Sequence, residues 1–187
     1  MSETPVNLAF DIATERARYA ARQGLLARQA ALRLDLAEGV TFQPETAESV
    51  QDQVIETLWA EGMTLETAPA EDLAEARASF AVLAPRREFG GQSLVATLFL
   101  GFPDEVRDDR LAALQRFPDQ LCLELSDGSL VAPSVDRGTA GPEDRLPSVL
   151  ALRYLIPDGR SIAALVSNHA KLSGRWPAPA AWTAWPS

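Results

Sequence analysis

The apolar positions of the first third recur at helical spacing. From Thr14 to about Leu34, Tyr19, Leu25, Leu26 and Leu32 form an interrupted apolar face, with Arg16, Arg18, Arg22, Arg28 and Arg33 riding on the same segment. Gly24 weakens the middle of this helix by about 1 kcal/mol relative to alanine. The next stretch, LRLDLAEGVTF, alternates instead and breaks at Glu38-Gly39, which predicts a short hairpin. PETAESVQDQVIETLWAEGM returns to helical spacing through Val50, Val54, Leu58 and the Ile55/Trp59 pair. Thr46 or Ser49 is placed to cap its start and Gly62 to end it. A shorter helix is predicted from Pro69 to Leu83, with Leu73, Phe80 and Leu83 inward and Pro85 as its stop.

The second half switches toward period two. GGQSLVATLFLGFP carries an apolar run from Leu94 to Phe102, bounded by glycine and proline. DEVRDDRLAALQRF reads as a short helix with Val106, Leu111, Leu114 and Phe117 toward the core. QLCLELSDGSLVAP is two alternating runs about Asp127-Gly128, a pair suited to a tight hairpin turn. SVDRGTAGPEDRLP reads as a loop. SVLALRYLIPDGRSIAALVSNH predicts a second hairpin, turning at Pro157-Asp158-Gly159. The expected fold class is α+β: an N-terminal helix and a mostly antiparallel sheet of about five to six strands, with two hairpins and helices packed on it. The expected division is an N-terminal arm over 1–13, one domain over 14–173, and a Trp/Pro-rich C-terminal strap over 174–187.

Composition narrows the function classes. A net charge of −9 and a pI of about 4.6 disfavour nucleic acid and anionic membranes as partners. The basic N-terminal helix is followed, from Asp35 to Glu75, by a carboxylate-dense segment without lysine or arginine. Contact between the two, within the chain or in a twin subunit, is the ordinary reading of that asymmetry. Cys122 is the single cysteine, so no intramolecular disulfide forms. Neither a signal peptide nor an apolar span is evident, and a cytoplasmic protein is expected.

Candidate chemistry is sparse. No CxxC, HExxH or phosphate-binding glycine motif occurs, so no cofactor or metal is expected. His169 is the one imidazole, and any Ser–His or Cys–His pair has to use it. Cys122 shares a strand face with Glu124, opposite Leu121 and Leu123. Glu56 and Glu61 lie on one helix but about 140° apart around it. The closing GRWPAPAAWTAWPS holds Trp176, Trp182 and Trp185, which either strap the protein's own body or anchor a partner.

Several blocks together resemble an uncharacterised bacterial family, domain of unknown function 3501. They are QVIETLWAEG (53–62), LVATLFLGFPDEVRDDRLAAL (94–114), SVLALRY (148–154) and SNHA around His169. Gln53, Glu56, Leu58, Glu61, Arg153 and His169 fall on the family pattern, while its Phe-Glu-Asn-Arg segment is Phe42-Gln43-Pro44-Glu45 here. The resemblance implies, by association with rubrerythrin-like and iron–sulfur oxidoreductase proteins, a link to oxidative stress or iron handling. The expectation is a non-enzymatic accessory or interaction protein, self-associating or bound to protein partners, with Glu56, Arg153 and His169 as candidate site. The alternative is a small hydrolase or metal-dependent enzyme using His169 with Glu56 or Cys122.

Overall fold

The computed structural model describes residues 12–136 and 145–184, with side chains from Arg22 onward except those of Asp136, Thr183 and Ala184. The chain opens with helix α1 (Ile12–Leu32), then strands β1 (Leu34–Ala37) and β2 (Val40–Pro44). Gly39 adopts φ +73° at the tip between them, a conformation glycine takes without penalty. Helix α2 (Ala47–Ala60) begins with a reciprocal cap. The Ser49 amide donates to Thr46 Oγ1 at 2.9 Å, and the Thr46 amide donates to Ser49 Oγ at 2.8 Å. Thr46 and Ser49, alternatives by sequence, act together. Helix α3 (Ala70–Phe80) and a short 3₁₀ turn over Ala81–Leu83 complete the helical region.

Strands β3 (Arg86–Glu88) and β4 (Gly91–Leu100) follow, then the seven-residue helix α4 (Arg107–Ala113). Its Leu111, with Leu114 and Phe117 beyond it, is buried, but Val106 is exposed. The helix starts one residue after Val106, which therefore lies off the inward stripe, a correction to the expected face. Strands β5 (Leu121–Leu125) and β6 (Leu130–Val131) form the hairpin about Gly128. Within the segment read as a loop, Ser134–Asp136 pairs as strand β7, and 137–144 lie outside the described residues. Strands β8 (Val149–Pro157), β9 (Ile162–His169) and β10 (Leu172–Pro177) close the fold.

The α+β class stands, with more strand than a single sheet of five or six. A six-stranded antiparallel sheet runs β1-β2-β4-β8-β7, with β3 also on β4, and a four-stranded antiparallel sheet runs β10-β9-β5-β6. The turn at Pro157-Asp158-Gly159 forms, yet it is not a hairpin. β8 pairs with β4 from Phe99↔Val149 to Gly91↔Pro157, whereas β9 pairs with β5 and β10. The turn therefore carries the chain from one sheet to the other. Alternation shows which face of a strand is buried but leaves its neighbour unspecified, and long apolar β4 is the partner that β8 matches along its length.

The inner faces of the two sheets meet in one core. Phe42, Leu94, Leu98, Leu152 and Tyr154 come from the larger sheet; Leu121, Leu123 and Leu165 come from the smaller. The Tyr154 hydroxyl donates to the Leu121 carbonyl at 2.8 Å, a buried bond between the sheets. A separate small cluster of Val54, Leu58 and Ala76 joins α2 to α3.

Candidate functional site

Glu56 and Glu61 sit on α2 with no shared task. The Glu56 carboxylate pairs with Arg22 of α1, and Arg28 of α1 reaches Glu48 of α2 through Nε at 3.1 Å and Nη2 at 2.9 Å. The opposed charges of the two segments thus resolve as contact inside the chain. Glu61 is the exposed C-cap of α2.

Arg153 projects from the outer face of β8. Its Nη1 donates to Ser93 Oγ at 3.1 Å, its Nη2 donates to the Val82 carbonyl, and Glu88 lies 4.0 Å away. The guanidinium fastens the 3₁₀ turn after α3 onto the outer face of the larger sheet. Glu56, grouped with Arg153 in the candidate site, is not among these partners.

His169 ends β9 on the inner face of the smaller sheet and is only 9% exposed. Its ring meets Phe117 edge-on at 5.9 Å, and Nδ1 accepts the Lys171 amide at 3.3 Å. Ser167 Oγ accepts from the His169 backbone amide at 3.1 Å, not from the ring. Cys122 pairs in register with Val166, while Leu121 pairs with Ser167, which is two residues before His169. Paired residues share a face and neighbours alternate, so Cys122 and His169 lie on opposite faces of the sheet. Burial also pushes the Cys122 thiol up, away from thiolate character. The structure therefore does not assemble His169 with Glu56, Arg153 or Cys122. Among the described residues, no group of three or more His, Cys, Asp or Glu side chains is arranged to hold a metal ion.

The tryptophans divide. Trp182 is 2% exposed, lies 5.6 Å from Phe42 ring to ring, and donates from Nε1 to the Leu32 carbonyl at 2.8 Å. Trp176, half-buried, donates to the Leu36 carbonyl at 3.2 Å. Both indoles strap β10 and the following turn onto α1 and β1. Of the two readings of Trp182, strap and partner anchor, this packing agrees with the strap: burying so large a ring against its own chain satisfies both its apolar body and its N–H. Trp185 lies outside the described residues.

One polar centre went unnoticed in the sequence. Glu45, just before the α2 cap, is 4% exposed. It accepts from Ser49 Oγ at 2.6 Å, Thr97 Oγ1 at 2.5 Å and Gln53 Nε2 at 3.3 Å. Its own amide donates to the Val95 carbonyl at 2.8 Å. A buried carboxylate needs such donors when no cation pairs with it. Here they tie the start of α2 to the outer face of β4. Its signal was an acidic residue immediately before a capping box, but the decisive donor, Thr97, is remote in sequence.

Outside the helices, that outer face carries apolar side chains in the open. Phe99 and its cross-strand partner Val149 are 42% and 54% exposed, and Leu155 farther along β8 is 44% exposed. Between them lies an open groove of about 360 Å³ lined by Val82, Val95, Ala151 and Arg153 together with β7.

Comparison with known proteins gives a family and a fold. The model of a family described as "Protein of unknown function (DUF3501)" matches residues 11–178. No curated protein matches the chain. A crystal structure from Burkholderia pseudomallei K96243, titled a novel protein of unknown function, shares the fold with a TM-score of 0.70. It is 18% identical over 90% of this chain and 90% of that one.

Proposed function

We propose, on the premise that this chain belongs to the DUF3501 family, that it is an accessory protein that binds another protein through the outer face of its larger sheet. The observation that carries this reading is the exposed apolar stripe of Phe99, Val149 and Leu155 around the Arg153 groove. Apolar side chains left exposed on one face and bordered by charge mark interaction sites in globular proteins. Two of the side chains that were candidates for chemistry support it as well, because Glu56 is spent on joining α1 to α2 and Arg153 on holding the turn after α3 to the larger sheet.

The partner's nature, a redox or iron-handling protein of rubrerythrin type, rests on the family resemblance. Titration of a purified rubrerythrin-type protein from the same organism into the full chain tests it. Saturable binding that disappears in the Val149→Lys/Leu155→Lys variant is the expected result. Absence of binding, or binding indifferent to both substitutions, overturns the reading. No helix among the described residues is long and apolar enough to cross a membrane, in keeping with a partner met in solution; a cytoplasmic location belongs to the same proposal.

A further inference from the structure

At the end of the two-sheet core away from the Pro157-Asp158-Gly159 crossover, four segments converge on a cleft of about 230 Å³. They are the β1–β2 tip, Phe102 after β4, α4, and the turn between β9 and β10. We propose that this cleft binds a small monocarboxylate with a short apolar tail.

The walls are fixed by the fold. The Gly101 amide donates to the Gly39 carbonyl at 2.7 Å, seating the hairpin tip beside Phe102. A Cβ on Gly39 would stand 2.8 Å from the Gly101 carbonyl oxygen and 2.9 Å from the Phe102 ring, so only glycine permits this approach. On the other side, the Lys171 amide bonded to His169 Nδ1 holds the β9–β10 turn. Val40 and Leu114 are buried behind the cleft, and Phe102 and Leu172 are half-buried at its sides. The interior is therefore apolar.

The rim is charged in an unusual way for this molecule. Elsewhere the basic side chains are mostly spoken for, as in Arg28–Glu48, Arg87–Asp158, Arg160–Asp127 and Arg175–Glu124. Arg110 and Lys171, both exposed at this cleft, have no side-chain partner among the described residues. Glu38 adds one carboxylate to the same rim. Two cations against one anion leave a single positive charge over an apolar slot, in a chain whose net charge is −9. That combination selects one negative head and a hydrocarbon tail. The volume is below the roughly 300–1,000 Å³ of pockets for drug-sized ligands, so the tail is short.

Hexanoate is a suitable probe, titrated calorimetrically into the full chain. Saturable one-to-one binding is expected, with hexan-1-ol and hexylamine failing to bind over the same concentrations. Arg110→Gln and Lys171→Gln should each weaken hexanoate by about tenfold, the scale of a lost charge-assisted hydrogen bond. Arg77→Gln, which removes a cation from α3 outside the cleft, should change nothing. All three positions are exposed, and surface substitutions of this kind leave stability nearly unchanged; a melting curve for each variant verifies that. Absence of saturable uptake, equal binding of hexan-1-ol, or full affinity in both cleft variants overturns the proposal. The outcome is independent of whether the outer sheet face binds a protein.

Discussion

The two faces of the six-stranded sheet are built from the same strands and could hardly differ more. The inner face presents Phe42, Leu94, Ala96, Leu98, Leu152 and Tyr154, each at most 1% exposed. The outer face presents Thr97, Ser93 and Arg153 beside the exposed Phe99, Val149 and Leu155. Inside, apolar area removed from water supplies the driving force, at roughly 25 cal/mol per Å². Outside, helices are held by discrete polar contacts, Glu45 with Thr97 and Arg153 with the Val82 carbonyl, and part of the sheet is left bare. The contrast teaches that period-two alternation can separate a stabilising face from a face free to bind.

Substitutions that cross this divide should rank accordingly. Phe42→Ala removes a fully buried ring that touches both Tyr154 and Trp182. It should cost about 3–5 kcal/mol, read as a fall in chemical-denaturation stability. Trp182→Ala should approach that loss, and Trp182→Phe should cost only about 1 kcal/mol, mostly the unsatisfied Leu32 carbonyl. If Trp182→Ala left stability unchanged, the strap would not be part of the core.

On the outer side, Glu45→Ala strands the Ser49 and Thr97 hydroxyls and should cost about 1–3 kcal/mol. Hydrogen exchange should show the first turn of α2 loosening before the inner strands do.

Tyr154→Phe costs as little near neutrality as Trp182→Phe, about 1 kcal/mol, through the lost bond to Leu121. It also has a signature in pH. Burial first, then nearby Cys122, raises the Tyr154 pKa well above its ordinary value of 10.0. A folded-state pKa above the unfolded one means that its stabilising contribution is complete below about pH 10. It is lost as pH climbs from there through the folded value. Melting temperatures measured between pH 8 and 11 should therefore fall more steeply for the natural protein than for Tyr154→Phe.

Local rules carried much of the architecture into the sequence. The tips at Gly39 and Gly128, the capped start of α2 and the apolar run of β4 are all consequences of neighbours a few residues apart. The pairing of α1 with α2 was foreshadowed by their opposite charges, and Arg22–Glu56 makes it concrete. Strand partnership was not legible in the same way. A tight turn after β8 suggested a hairpin, yet which strand lies beside β8 is settled by the whole inner core. The candidate site met the same barrier. Glu56, Arg153 and His169 could be picked out singly, but they stand on a helix and on two different sheets. Glu45 escaped attention because Thr97, its closest donor, is 52 residues away along the chain.

Urea denaturation of the Val149→Lys/Leu155→Lys variant beside the natural protein tests the division of the two faces most directly. If the outer stripe is bare surface kept for a partner, the unfolding free energies should agree within about 0.5 kcal/mol. A deficit of several kcal/mol, comparable with Phe42→Ala, would contradict the account by showing that these side chains belong to the folded core.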